Sequence, residues 1–113
     1  MNIEAYEAAA EVRRDANRLA QVALAPYWER VVEIANAEDI GTALNEGILG
    51  VEDDGEVILA IGGPGVWLLP SGVLAGAWAG PRIYATPSTR EEQDAAETIL
   101  DYIRELRAEG VSL

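Results

Sequence analysis

The chain has 113 residues, with 20 Asp and Glu against 8 Arg and no Lys, His, Cys or Phe, so its formal net charge is −12. That length fits one domain, and with half of the residues apolar it supports one compact core. Without His or Cys there is no zinc finger, thiol nucleophile, Ser-His or Cys-His pair, disulfide or imidazole proton shuttle. The cations are scattered as Arg13, Arg14, Arg18, Arg30, Arg82, Arg90, Arg104 and Arg107, which argues against direct binding to a nucleic-acid backbone or an anionic membrane.

The first third is helical in pattern. Ala8-Ala9-Ala10 and the neighbouring Glu and Arg have high helix propensity, and Val12, Ala16, Leu19 and Ala23 are spaced to share one face. Met1 to Glu11 carries acids where a signal peptide has a basic start, so the expected location is the cytoplasm. Pro26 interrupts or kinks the helix, and Leu24, Trp28, Val31, Val32 and Ala35 continue as a stripe. Two outcomes fit: a bend near Ala25, or a second helix there. Asn36 with Asp39 resembles a capping box opening a short helix, Ala37 to Leu44, that stops at Gly47.

From Gly47 to Thr86 the period becomes that of strands. Ile48 to Val51, Val57 to Ile61, Val66 to Leu69, Val73 to Ala79 and Arg82 to Thr86 are separated by Asp53-Asp54-Gly55, Gly62-Gly63-Pro64-Gly65, Pro70-Ser71-Gly72 and Gly80-Pro81. Those turns also exclude a membrane span over Val57 to Ala79. Connections this short force antiparallel neighbours, so a meander of four to five strands is expected. The last element is a helix opened by Ser88 with Glu91 or Thr89 with Glu92, with a stripe of Ala96, Ile99, Ile103 and Leu106 and a stop at Gly110. The expected fold is α+β in a single domain: helices over 1–46, the meander over 47–87, and a C-terminal helix over 88–110 packed on the sheet.

Acid without Lys is the most unusual feature. Asp94, Glu97, Asp101 and Glu105 fall on the last helix opposite Ile99 and Ile103, repeating at roughly 5–6 Å along its axis. That is near the separation of phosphates along a nucleic-acid strand, so the row could occupy a basic groove. Glu4, Glu7, Glu11 and Asp15 form a second row on the first helix. A solvated helix face, or a halophile's surface, explains the same acids.

Glu52-Asp53-Asp54-Gly55-Glu56 invites comparison with a calcium loop, whose acids alternate so that they converge. Here they are consecutive, which predicts carboxylates on opposite sides of the chain and a hairpin with a polar tip rather than a metal site. Gly62-Gly63-Pro64-Gly65 lacks the Lys-Ser/Thr ending and following helix of a phosphate loop and reads as a turn. Trp67 and Trp78 flank Pro70-Ser71-Gly72 and are expected to meet across adjacent strands with Tyr84 on the next, either as core or as a contact surface. The small residues around Trp78 leave its strand with little cover, which favours an aromatic anchor. A carboxylate enzyme such as a glycosidase needs a cleft that nothing here marks.

Residues 56–106 carry a resemblance. Gly62-Gly63-Pro64-Gly65-Val66-Trp67, Gly76-Ala77-Trp78-Ala79-Gly80 and the acidic helix with Asp101-Tyr102-Ile103-Arg104-Glu105-Leu106 resemble small acidic proteins of phages and mobile elements, some of which are anti-CRISPR or antirestriction inhibitors. The resemblance implies a non-enzymatic inhibitor, without cofactor or metal, that blocks a basic nucleic-acid-processing complex of the host by protein contact. Asp94, Glu97, Asp101, Glu105, Glu52, Asp53 and Asp54 would meet the partner's basic residues, and Trp67 or Trp78 would anchor it. The alternative is a halophilic or housekeeping domain whose acids serve solubility, packed as an oligomer through the tryptophan-bearing strands.

Overall fold

A computed structural model describes residues 3–110, with side chains from residue 17 onward. The first helix, α1 (Ile3–Ala35), has 33 residues and continues through Pro26, so no second helix begins near Ala25. Proline removes the donor for the carbonyl four residues back. That carbonyl belongs to Val22, which is 71% exposed, so water can reach the group that Pro26 leaves without a partner.

The buried face of α1 is Ala20, Leu24, Trp28, Val31 and Ile34. Leu24, Trp28 and Val31 belong to the expected second stripe, with Val32 and Ala35 half-buried against the core; in the first stripe Leu19 is instead 70% exposed, while Val12 and Ala16 lie outside the described side chains. Two apolar stripes with helical period run side by side here, and the sheet selects the one containing Leu24, which sits against Gly76. Asn36 belongs to the end of α1, where its N–H donates to the Val32 carbonyl at 3.0 Å. The short helix α2 (Ile40–Gly47) therefore starts later than expected, at Asp39, whose carboxylate accepts from the Thr42 N–H at 3.1 Å and the Thr42 hydroxyl at 3.0 Å. Those bonds hold the Asp39 carboxyl below its ordinary value, the Thr42 N–H contributing most.

Five strands follow: β1 (Gly50–Val51), β2 (Val57–Ala60), β3 (Gly65–Leu68), β4 (Leu74–Ala77) and β5 (Ile83–Ala85). They pair in chain order and every pair is antiparallel, which is the expected meander. Alternation along the strands makes two unlike faces. Val57, Leu59, Val66, Leu68, Leu74 and Ala85 point inward and join the buried faces of the helices in one core. Ile58, Trp67, Ala75 and Tyr84 form a row across the other face.

The closing helix α3 (Arg90–Ala108) resolves the choice of cap. Thr89 Oγ1 accepts from the Glu92 N–H at 3.1 Å, and Glu92 Oε1 accepts from the Ser88 N–H at 2.9 Å and the Ser88 hydroxyl at 3.0 Å. Ala95, Ala96, Ile99, Leu100 and Ile103 are buried in the shared core. The helix ends where Gly110, with φ +81°, donates to the Arg107 carbonyl at 3.0 Å. Among the described residues, no helix is long and apolar enough to cross a membrane.

Candidate partner-binding surface

On α3, Asp94, Glu97, Asp101 and Glu105 are all exposed, because the helix buries its opposite side. Two of the four have cations of their own: Arg90 Nε lies 3.9 Å from Asp94, and Arg104 Nη1 lies 2.6 Å from Asp101. Glu97 and Glu105 have no ion-pair partner among the described residues. Arg107 turns away from the row and donates to the main-chain carbonyl of Glu52. That bond sets the β1–β2 hairpin tip, with exposed Glu52, Asp53 and Asp54, against the last turn of α3. The tip therefore meets α3 on the side of Arg107, about 200° around the helix from Glu105, and not on the face that carries the row. The row Glu4, Glu7, Glu11 and Asp15 lies outside the described side chains.

At the hairpin three of the four acids come together, and Asp53 is not among them. Glu52, Asp54 and Glu56 alternate along the chain, and their carboxylate oxygens lie within 4.8 Å of one another. The turn at Gly55, with φ +93°, and a bond from the Glu56 N–H to Asp54 Oδ1 at 3.0 Å fold the three together. Their counter-ion is a side chain. Arg82 holds Glu56 in a two-pronged pair, Nη2 to Oε1 at 2.9 Å and Nη1 to Oε2 at 3.1 Å. The hydrogen bonds to Glu56 raise the pKa of Arg82 further, which keeps it charged. Glu56 is 8% exposed, and the pair is what makes its burial tolerable.

Arg82 also covers Trp67, its guanidinium carbon 4.2 Å from the ring centroid. Trp67 in turn lies over Gly65, where an added methyl would come within 2.6 Å of the ring. Trp78 does not meet it. Trp67 is paired with Ala75 on the outer face, whereas the Trp78 ring lies over Gly76, whose missing methyl would touch both Trp78 and Leu24 at 2.8 Å. The two indoles thus occupy opposite faces of the sheet. Trp67 and Tyr84 instead flank Ala75, which they leave fully buried. Trp67 is half-buried beneath Arg82, whereas Trp78 is 45% exposed at the edge of the helical face.

A second acidic feature went unnoticed in the sequence. Glu29 and Glu33 of α1 and Glu91 and Glu92 of α3 line a cleft of about 410 Å3 over Trp28, Val32 and Thr89. Glu29 and Glu33 share a helix face by their four-residue spacing, the one signal available beforehand; their meeting with α3 depends on helix packing.

The negative charge follows from 20 acids against 8 Arg, and the cations described are engaged within the chain. Arg30 donates to the Leu59 carbonyl at 3.0 Å, Arg82 to Glu56, and Arg107 to the Glu52 carbonyl, while Arg90 and Arg104 sit beside their own helix's acids. All five Arg described with side chains beyond residue 18 have partners within the chain. Comparison with protein-family models, with curated proteins and with solved structures gives no match.

Proposed function

We propose that the chain is an acidic binding protein, not an enzyme, that blocks a basic nucleic-acid-processing complex in a host cytoplasm by protein contact, in the manner of phage and mobile-element inhibitors. The observation that carries this reading is the unbroken exposure of Asp94, Glu97, Asp101 and Glu105 along one face of α3, with Glu52, Asp53 and Asp54 exposed at a separate hairpin tip. Complementary fields accelerate encounter with a basic groove, and an apolar anchor slows departure. Trp78, 45% exposed, would supply that anchor.

The test is titration against a purified CRISPR or restriction effector complex between about 0.05 and 0.5 M salt, a range that shortens the screening length several-fold. Binding that excludes the nucleic acid and weakens with salt is expected. No binding, or binding indifferent to salt, overturns the proposal. The pairs Arg90–Asp94 and Arg104–Asp101 favour a second reading, a solvated helix face serving solubility. That reading predicts no effector binding and a fold that gains stability as salt screens the −12 charge.

A further inference from the structure

Leu106, the last member of the apolar period of α3, does not join the core. It is half-buried and lines a groove of about 540 Å3 between α2, β1 and α3, together with Ile48, Leu49 and Tyr102. Leu49 is 62% exposed there. The polar side chains of the lining, Thr42, Asn45 and Tyr102, are uncharged, so this groove offers a basic partner nothing that the helix row does not offer better. It calls for an apolar, neutral occupant.

The end of α3 directs such a segment at it. Gly110, with φ +81°, donates to the Arg107 carbonyl at 3.0 Å, not to the carbonyl of Leu106. That is the inner bond of the two-bond glycine cap, in which the following residue donates to the carbonyl one position earlier and packs its side chain on the residue that owns it. Here the following residue is Val111, and the carbonyl it would reach belongs to Leu106. Ser112 and Leu113 come next. In an extended segment alternate residues share a side, so Val111 and Leu113 face together and Ser112 faces away. Two residues advance the chain by at most about 7 Å, which keeps Leu113 within reach of the groove that begins at Leu106.

We infer that Val111-Ser112-Leu113 is a strap across this groove: the Val111 N–H donates to the Leu106 carbonyl, the Val111 side chain lies on Leu106, and Leu113 covers Leu49 and Tyr102. The strap also secures the last turn of α3, from which Arg107 reaches the hairpin.

NMR of the intact chain tests this. Overhauser contacts are expected from the Leu113 methyls to Leu49 and the Tyr102 ring, and from Val111 to Leu106. The Val111 amide should exchange with solvent about tenfold or more slowly than in an unstructured peptide. A Leu113→Ser variant, which touches no residue of the core cluster, should speed that exchange about threefold or more, and Ser112→Ala should leave it within about twofold. A Val111 amide exchanging at the peptide rate overturns the inference, as does the absence of contacts between Leu113 and Leu49. So does an unchanged rate in Leu113→Ser, which would show that Leu113 holds nothing in place, or a larger effect of Ser112→Ala, which would show the segment lying with its other side inward. Mixed isotope-labelled and unlabelled chains identify the occupant. Contacts confined to single chains support the strap, whereas contacts from Leu113 of one copy to Leu49 of another assign the groove to a second copy and overturn it.

Discussion

The hairpin and α3 carry the same kind of residue in opposite circumstances. At the hairpin, Glu56 is nearly buried and gripped by Arg82, with Glu52 and Asp54 drawn in beside it. On α3, Glu97 and Glu105 stand in water and touch no cation among the described residues. A carboxylate held by a two-pronged arginine is committed to the fold, and removing its partner leaves a charge in a poor solvent. A carboxylate on a solvated helix face is nearly neutral to the fold and remains available to a partner. Net charge alone does not distinguish these roles; what each acid touches does.

Arg82→Ala is the severest challenge to this contrast. It strands Glu56 next to Glu52 and Asp54 and uncovers Trp67, and because Arg82 is partly exposed the expected loss is about 2 kcal/mol, less than for a fully buried pair. Arg82→Met combined with Glu56→Leu should regain most of that in a chemical denaturation series, since it removes both charges together. If Arg82→Ala alone proves neutral, the hairpin acids are as solvated as those on α3 and the distinction collapses.

Next in size is Gly65→Ala. Its methyl would stand 2.6 Å from Trp67 Cη2, so the indole has to swing aside and lift Arg82 from its stack, at about 1–2 kcal/mol. Trp67 emission should change together with the denaturation midpoint. A variant of unchanged stability and emission would mean that the outer-face stack is loose.

The sequence made the fold legible where local chemistry punctuates it. Each strand is bounded by Gly or Pro turns that leave no room for a crossover, and α3 is announced by Thr89, Glu92 and its apolar period. What escaped were choices between equivalent local solutions. Leu19 with Ala23 and Ala20 with Leu24 are equally good helical spacings, and only contact with Gly76 decides for the second. Trp67 shares its face with odd-numbered Ala75 and Ala77, leaving Trp78 one residue out of phase; that parity follows from the register across Pro70-Ser71-Gly72, which composition does not reveal. The Arg82–Glu56 pair joins positions 26 residues apart, and the acidic cleft joins α1 to α3, so both arise only from tertiary packing. The exposure of the α3 row was legible because one helix suffices to define it.

Asp39 lies between the two extremes: an exposed carboxylate with a structural duty at the start of α2. Its folded pKa is lowered, so the stability it contributes is complete above its ordinary value of 3.8 and is withdrawn as pH falls through the folded value. In the wild-type chain, acid should therefore loosen α2 through Asp39 below about pH 4. Asp39→Asn keeps a capping side chain without the titrating charge, so its α2 amides should show less acid-dependent hydrogen exchange than wild type. Identical acid profiles in the two proteins would assign the loosening to other carboxylates.

The smallest effect on stability, and the most telling for function, belongs to Glu97→Gln with Glu105→Gln. Both side chains are exposed and make no ion pair among the described residues, so the denaturation midpoint should move by no more than about 0.5 kcal/mol equivalent, and relief of like-charge repulsion makes a slight gain the expected direction. Binding to a basic effector should respond differently. Each neutralised carboxylate lowers the association rate and flattens its dependence on salt, while the dissociation rate, governed by the buried anchor, changes less. The conjunction is diagnostic. A stable protein that associates more slowly identifies the row as a docking charge, and a stable protein with unaltered association identifies it as solvated surface. A large loss of stability would contradict the contrast itself, because it would show Glu97 or Glu105 to be as bound into the fold as Glu56.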